Sequence, residues 1–185
     1  MTKHSQPALW TLMGHTPKVH PDAFVAPGAQ VMGRVTLGMD SSVWFNAVLR
    51  ADYGDIVVGE GTNIQDLTTV HIETAKERRD GKACHVTIGS QVTIGHNCVI
   101  HGCTIQDLCI IGMGSILMNG AVIGRGSIVG AGAVVLEDTV IPPFSLVVGS
   151  PAQVKKSYPE EVLHIIREAA RGYIQRAKDF KTGLK

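Results

Sequence analysis

The sequence predicts an all-β fold, a parallel β-helix with three-sided coils, followed by a C-terminal α-helix. Three observations support this prediction. An aliphatic residue recurs at every sixth position over most of the chain. Glycine accounts for 21 of the 185 residues, which is well above the average of about 7%. Aromatic residues make up only 5% of a chain that is 44% hydrophobic, so small aliphatic side chains must build the core.

The period of six excludes simpler explanations. An α-helix has a period of about 3.6 residues and a single strand one of about 2. A three-sided coil fits, because each side places one aliphatic anchor inside before a tight turn, and coils then stack about 4.8 Å apart as parallel strands. Three anchors per coil predict about six coils. The anchors are Val25, Val31, Leu37, Val43, Leu49, Val58, Ile64, Val70, Ile88, Ile94, Ile100, Ile105, Ile111, Leu117, Ile123, Val129, Val135, Ile141 and Val147.

The chain divides into two predicted units. Residues 1–158 hold an N-terminal lead and the β-helix, and residues 159–185 hold the C-terminal helix. That helix has an apolar stripe, which we expect to pack along the coils or against a neighbouring chain. Two segments, 51–55 and 73–85, interrupt the ladder, and the longer one is a charged loop of the kind that often carries function.

Composition excludes several classes of partner. The net charge is only +1, which argues against nucleic acid as a ligand. We expect no membrane segment and no signal peptide, since no apolar run is long enough. Four cysteines at irregular spacing are typical of reduced thiols, so we expect a cytoplasmic protein.

Two histidines fall where the ladder brings side chains together. His71 directly follows anchor Val70. His101 directly follows Ile100, which lies one complete coil further along. The two imidazoles should therefore stack on one edge about 5 Å apart. That separation suits a shared metal ion with metal–nitrogen bonds of about 2.0–2.1 Å.

A third histidine falls on another side of the coil. His96 comes two residues after its anchor, with Asp66 one coil below it. Arg50 lies one coil below His71, on the edge that His71 shares with His101. A three-histidine site would close if this edge of one subunit met the side of another that carries His96. A cyclic homotrimer makes such a contact three times.

The ladder resembles the hexapeptide-repeat proteins, and this resemblance implies a left-handed β-helix where general crossover rules favour a right-handed one. Two runs are similar to the γ-class carbonic anhydrases, namely Asn-Ile-Gln-Asp at 63–66 and Gly-His-Asn-Cys-Val-Ile-His-Gly at 95–102. Arg50 and Asp52 also match an upstream motif of that family. The resemblance covers about residues 15–155.

The resemblance implies a homotrimer with one metal ion at each subunit interface. His71 and His101 of one subunit and His96 of the next would hold Zn²⁺, with Fe²⁺ or Co²⁺ as possible alternatives. Arg50 and Asp66 would pair across the interface.

Three further residues are expected to serve the site. Gln65 and Asn63 are implied to orient water, hydroxide or bicarbonate. Tyr173 is expected to match a helical tyrosine near the family's active site, with plain helix packing as the alternative.

The implied activity is that of a lyase, the hydration of carbon dioxide to bicarbonate by a metal hydroxide that three histidines hold. The chain departs from the family's best-studied form, because Tyr53 and Thr74 stand where that form has acidic residues. Glu73 or His85 could replace the missing proton shuttle, and turnover is expected to be slow.

Two other functions remain open at this point. The same scaffold could hold a metal for thioesterase or esterase activity or for an accessory role. A hexapeptide acyltransferase that uses a CoA thioester is a further alternative, although such enzymes usually need one catalytic histidine rather than three in register.

Overall fold

A computed structural model describes residues 8–78 and 80–183 of the chain. The described residues form a β-helix of about eight turns with one C-terminal helix. The predicted fold class, a left-handed parallel β-helix followed by an α-helix, is thereby confirmed. The outermost ends of both predicted units, 1–7 and 184–185, lie outside the described residues.

Short strands line the three faces of the coil. The histidine face contains β1 (Ala8–Trp10), the first parts of β4 (Gln30–Leu37) and β6 (Val48–Val58), β8 (Thr69–His71), β11 (Val99–His101), β14 (Ile116–Leu117) and β17 (Val134–Val135). The middle face contains β2 (Lys18–Val19), the second parts of β4 and β6, β9 (Val86–Ile88), β12 (Thr104–Ile105), β15 (Val122–Ile123) and β18 (Val140–Ile141). The helix face contains β3 (Phe24–Val25), β5 (Ser42–Val43), β7 (Asn63–Ile64), β10 (Thr93–Ile94), β13 (Ile110–Ile111), β16 (Ile128–Val129), β19 (Ser145–Val148) and β20 (Gln153–Ser157).

The strands join into two sheets. Because β4 and β6 are long enough to turn a corner, the histidine and middle faces form one 12-stranded sheet. The helix face forms an 8-stranded sheet, which ends in the antiparallel strand β20. The 51–55 interruption lies inside β6, where the pairing with β4 shifts register between Gly33 and Val35. This segment is therefore a bulge at the corner of the coil.

The anchors form one continuous core. Ile64, Ile100 and Ile123 are fully buried, as are nearly all the other anchors. The coils also approach each other closely through their backbones. A Cβ atom on Gly59 would lie 2.5 Å from the carbonyl carbon of Gly89. Glycine is therefore required at this contact, which explains part of the unusual composition.

The N-terminal lead belongs to the coil, which corrects the predicted number of turns. About six coils were expected, but β1 and β2 both pair in parallel with β4. Val19 in β2 lies six residues before Val25, so the ladder begins one step earlier than the anchors identified from the sequence.

The C-terminal helix α1 (Val162–Gly183) begins three residues after the predicted start of its unit. It packs along the helix face of its own chain, against β3, β5, β7 and β10. Ile166 packs at one end of the coil and Ala177 at the other. Within the described residues, no helix combines the length and apolar character needed to cross a membrane.

Candidate metal centre

The strand register confirms the predicted stacking on the histidine face. His71 in β8 pairs with His101 in β11 on one side and with Arg50 in β6 on the other. The centroids of the two imidazole rings are 5.0 Å apart, as the strand spacing predicted. Three consecutive coils thus place a guanidinium group and two imidazoles in one row.

The two rings turn one nitrogen toward each other. His71 Nδ1 lies 3.0 Å from His101 Nε2. Two nitrogens bound to one tetrahedral metal ion at about 2.0–2.1 Å would be roughly 3.3 Å apart. The pair therefore fits a shared metal ion after a small opening, and imidazole nitrogens suit Zn²⁺, Fe²⁺ and Co²⁺.

An acceptor group holds each ring from behind. His71 Nε2 lies 3.2 Å from Asp52 Oδ1, and His101 Nδ1 lies 2.6 Å from Asn119 Oδ1. Because these oxygens accept hydrogen bonds, the outer ring nitrogens carry the protons and the facing nitrogens carry lone pairs. Two lone pairs at 3.0 Å repel each other unless a proton or a cation lies between them.

The local charges favour the neutral, metal-binding form of His71. Burial, together with the nearby Arg50 guanidinium, lowers the pKa of His71 below its usual value, although Asp52 acts in the opposite direction. Burial alone would raise the pKa of Asp52, but the backbone amide of Tyr53 and the charges of His71 and Arg50 outweigh it and lower that pKa. Asp52 therefore stays ionised and keeps its hydrogen bond to the imidazole.

The third predicted ligand lies at a different corner. His96 follows β10, where the coil turns from the helix face to the histidine face, and its Nδ1 lies 2.8 Å from Asp66 Oδ2. The predicted stacking of Asp66 below His96 is thus confirmed. His71 and His101 end their strands at the opposite edge of the histidine face. One chain therefore brings together two of the three histidines. Over residues 8–78 and 80–183, no cluster of three or more His, Cys, Asp or Glu side chains could hold a metal ion.

Arg50 forms its ion pair within the chain. Its guanidinium contacts the Asp52 carboxylate, which in turn contacts His71. The Arg50 side chain is 46% exposed and the Asp66 side chain 34% exposed. Both groups are accessible to a neighbouring subunit, and the pairing between them stays a prediction.

Asn63 and Gln65 form a connected pair at the end of β7. Asn63 is fully buried, and its side-chain amide donates to Thr93 Oγ1 at 3.0 Å. Its oxygen accepts a hydrogen bond from Gln65 Nε2 at 3.0 Å. Asn63 thus fixes the side-chain amide of Gln65, and a role for either residue in orienting water or bicarbonate stays a prediction.

Tyr173, a residue of helix α1, lies in an aromatic cluster between the helix and the coils. Its ring meets Trp44 edge-on, with centroids 5.4 Å apart, and the Arg176 guanidinium lies 4.9 Å from the ring centroid. Burial raises the pKa of the Tyr173 hydroxyl. These contacts agree with helix packing, and an active-site role for Tyr173 stays a prediction.

Sequence reasoning did not assign a role to Asp52 or Asn119. Asp52 was seen only as part of a motif, and no position in the ladder predicts a contact with His71. Asn119 could have been found, because β14 pairs with β11 in a register that stacks Met118 on His101 and Asn119 on the next residue, Gly102, one coil above. A search for amide and carboxylate side chains one coil away from each histidine would have found it.

Backbone hydrogen bonds and ion pairs hold the described part of the long loop 73–85 in place. Its base is a two-bond backbone bridge between Glu73 and Cys84. Arg78 forms ion pairs with Asp80 and with Asp138 on a higher coil. The loop therefore lies against the coils, close to His101.

Both candidate proton shuttles in this loop have partners. Glu73 Oε2 accepts a hydrogen bond from Asn119 Nδ2 at 2.8 Å. His85 Nδ1 accepts one from the backbone amide of Asp55 at 3.0 Å. A role for either in proton transfer remains a prediction.

Exposed apolar side chains lie on the histidine face and at the corner that carries His96. Val99 and Ile116 point outward from the histidine face and are 38% and 37% exposed. Leu67 and Met113 lie at the corner that carries His96 and are 58% and 60% exposed. Exposed apolar side chains that lie close together are typical of interaction sites.

Comparison with known proteins first places the chain in a class. The model for the bacterial transferase hexapeptide (six repeats) matches residues 102–137. A solved structure of a hexapeptide transferase family protein from Anaplasma phagocytophilum superposes with a TM-score of 0.85 at 36% identity, over 94% of this chain and 98% of its own. The fold is therefore that of the hexapeptide-repeat proteins.

Sequence relatives narrow the class to a family. The probable carbonic anhydrase of Methanocaldococcus jannaschii is 46% identical, over 85% of this chain and 94% of its own. Gamma carbonic anhydrase 2, mitochondrial, of Arabidopsis thaliana is 42% identical over 92% of this chain. The chain spans about 60% of the length of that plant relative. The chain belongs to the γ-class carbonic anhydrase family.

Proposed function

We propose that this protein is a metal-dependent lyase that hydrates carbon dioxide to bicarbonate, at metal centres shared between the subunits of a homotrimer. The observation that carries this proposal is the pair of facing nitrogens on His71 and His101, 3.0 Å apart and each held from behind by an acceptor. When bound, Zn²⁺, or Fe²⁺ or Co²⁺ in its place, would supply Lewis-acid chemistry, and Zn²⁺ can lower the pKa of a water molecule from about 15.7 to about 7.

The shape of the coil supports a shared site. The histidine face separates two corners, one with His96 and one with His71 and His101. Suppose that three subunits turn their histidine faces toward a common axis. The corner of each subunit that carries His96 then meets the corner of the next subunit that carries His71 and His101. The exposed side chains of Val99 and Ile116 would then be buried, which favours the assembly.

Each residue of the site has a separate task in this proposal. His71 and His101 of one subunit and His96 of the next would hold the metal, and Asp52 and Asn119 orient the first two rings.

The remaining groups act on the substrate and the interface. Gln65, held by Asn63, would hydrogen-bond the reacting water or bicarbonate. Arg50 would pair with Asp66 of the partner subunit and fix the register of the interface. Because Tyr53 and Thr74 replace acidic residues, proton release is expected to limit turnover.

Three measurements on the intact protein test the proposal. Light scattering should give the mass of a trimer, metal analysis should give one metal ion per chain, and stopped-flow assays should show carbon dioxide hydration. A stable monomer would overturn the shared site, and cleanly purified protein that takes up no metal would overturn the metal centre. Metal without hydration would overturn the activity and favour ester or thioester hydrolysis or an accessory role.

A second candidate function follows from the solved relative that is named a hexapeptide transferase family protein. An acyltransferase would bind acyl-CoA in a groove between coils and would not need His96. Calorimetry with acetyl-CoA separates the two candidates. Saturable binding that survives His96→Ala supports the transferase, and the absence of binding supports the lyase.

A further inference from the structure

We propose that Asn119 and Glu73 are positioning residues for the metal centre, which hold His101 in the tautomer that leaves its Nε2 free for the metal. This inference rests on the proposed function, because it concerns the same histidine. It assigns to the long loop the task of preparing one metal ligand.

The side chain of Asn119 holds His101 in place. His101 Nδ1 lies 2.6 Å from Asn119 Oδ1, and Asn119 is only 8% exposed. An amide oxygen accepts hydrogen bonds and cannot donate them, so Nδ1 must carry the proton. The lone pair is then on Nε2, the nitrogen that faces His71. The contact therefore selects the metal-binding tautomer before any metal arrives.

Glu73 determines which end of the Asn119 amide faces the ring. A side-chain amide can rotate by half a turn and present its NH₂ group instead of its oxygen. Glu73 Oε2 lies 2.8 Å from Asn119 Nδ2, and an ionised carboxylate only accepts hydrogen bonds. The flipped amide would point its oxygen at this carboxylate, which is unfavourable. Glu73 thus acts on His101 through Asn119.

The backbone is shaped to permit this relay. Gly102, directly after His101, has a φ of +54°. A Cβ atom at this position would lie 2.6 Å from Asn119 Oδ1 and 2.8 Å from the Cβ atom of Cys84. The two bonds between the backbones of Glu73 and Cys84, 3.0 and 2.9 Å long, hold the loop over the same place. Three separate segments of the chain therefore converge on one side of His101.

His71 does not depend on this relay. It has its own acceptor in Asp52, which comes from the bulge in β6 rather than from the loop. Loss of Asn119 should therefore disturb one of the two facing imidazoles and leave the other in place. This makes the expected effect partial, a weaker metal site rather than an absent one.

The test measures Zn²⁺ affinity by competition with a chromophoric chelator, and the His101 tautomer by ¹⁵N NMR of the metal-free protein. Asn119→Ala should weaken Zn²⁺ binding by about 10–100-fold and remove the preference for the Nδ1–H tautomer. Asn119→Asp, combined with Glu73→Gln so that two carboxylates do not face each other, keeps an acceptor for His101 and should restore that tautomer. Glu73→Ala should weaken binding less than Asn119→Ala does. Gln106→Ala is the matched control, because that exposed amide side chain accepts from the Arg125 backbone at 2.9 Å and should leave both readouts unchanged.

The outcomes separate this inference from the proposed function. If the wild-type protein binds no Zn²⁺, the proposed function falls. If it binds Zn²⁺ and Asn119→Ala binds it equally well with an unchanged tautomer, the positioning role is wrong and the metal centre stands. If Asn119→Ala fails to fold, as circular dichroism would reveal, the Glu73→Ala result decides, and unchanged affinity and tautomer there overturn the inference.

Discussion

The coils above residue 105 and those between residues 49 and 101 are built from the same ladder but differ in what they carry. The upper coils follow the six-residue period without interruption from Ile105 to Val147. The lower coils contain both interruptions and all three candidate metal ligands. One framework therefore serves two purposes. The regular coils provide stability and one supporting side chain, Asn119, whereas the interrupted coils use the same register to place the candidate metal ligands.

The largest effect is expected from the loss of a candidate metal ligand in the lower coils. His101→Ala should weaken metal binding by more than the roughly 100-fold that loss of an outer-shell partner can cost, and hydration should disappear with the metal. The metal-free chain should lose only about 1 kcal/mol of stability, the net value of one hydrogen bond. Metal titration and chemical denaturation measure the two quantities.

A matched control for this variant is His164→Ala, since His164 is an exposed histidine on α1. It should change neither quantity. If His101→Ala bound metal as tightly as the wild type but was much less stable, His101 would serve stability and not metal binding, which would contradict the comparison.

The next largest effect is expected on the stability of the upper coils. Ile123 is fully buried between Ile105 and Ile141 on the middle face. Ile123→Ala should lower the free energy of unfolding by about 2–5 kcal/mol through lost burial and a residual cavity. The metal affinity of the folded protein should stay within about twofold of the wild type, since no ligand touches this position. Denaturation of the metal-free protein at fixed concentration, with a parallel metal titration, measures both. Equal damage to metal affinity would contradict the division between stability and chemistry.

The sequence and the structure agree most closely where the period alone decides the outcome. The stacking of His71 with His101, and of His96 with Asp66, follows from counting anchors, because parallel register fixes which residues are neighbours. The count of coils was wrong since the lead joins the stack through β1, whose spacing to the first anchors is irregular.

Side-chain hydrogen bonds were harder to predict. Asn119 and Asp52 contact the histidines only because their side-chain rotamers point toward the imidazole rings. Periodicity carries no information on rotamers. The burial of Asn63 likewise depends on α1 lying along the helix face rather than elsewhere. The sequence left both possibilities for that helix open.

The smallest effect concerns the four cysteines, of which Cys84 and Cys98 lie in the lower coils, Cys109 in the upper coils and Cys103 between them. Burial raises the pKa values of the Cys103 and Cys109 thiols to about 12. Because a raised pKa leaves less thiolate, only about one in 10⁴ of these thiols is ionised at pH 8. Burial also raises the pKa of Cys84, but this thiol is only partly buried at the base of the long loop.

Iodoacetamide at pH 8 should therefore modify Cys84 first, and Cys103 and Cys109 only after unfolding. Peptide mass spectrometry over a time course shows the order. Early modification of Cys109 in folded protein would mean that the upper coils open more readily than the packing described above allows.

In the proposed trimer, each metal centre takes His96 from one subunit and His71 with His101 from the next. Intersubunit complementation tests this sharing of ligands. His96→Ala and His101→Ala chains, each inactive alone, are unfolded together in equal amounts and refolded, and the mixed trimers are verified by mass. Three quarters of randomly assembled trimers are mixed, and each of these regains one intact site, so hydration should return to about a quarter of the wild-type rate. No recovery in verified mixed trimers would contradict the shared site, and so would full metal binding by His96→Ala alone.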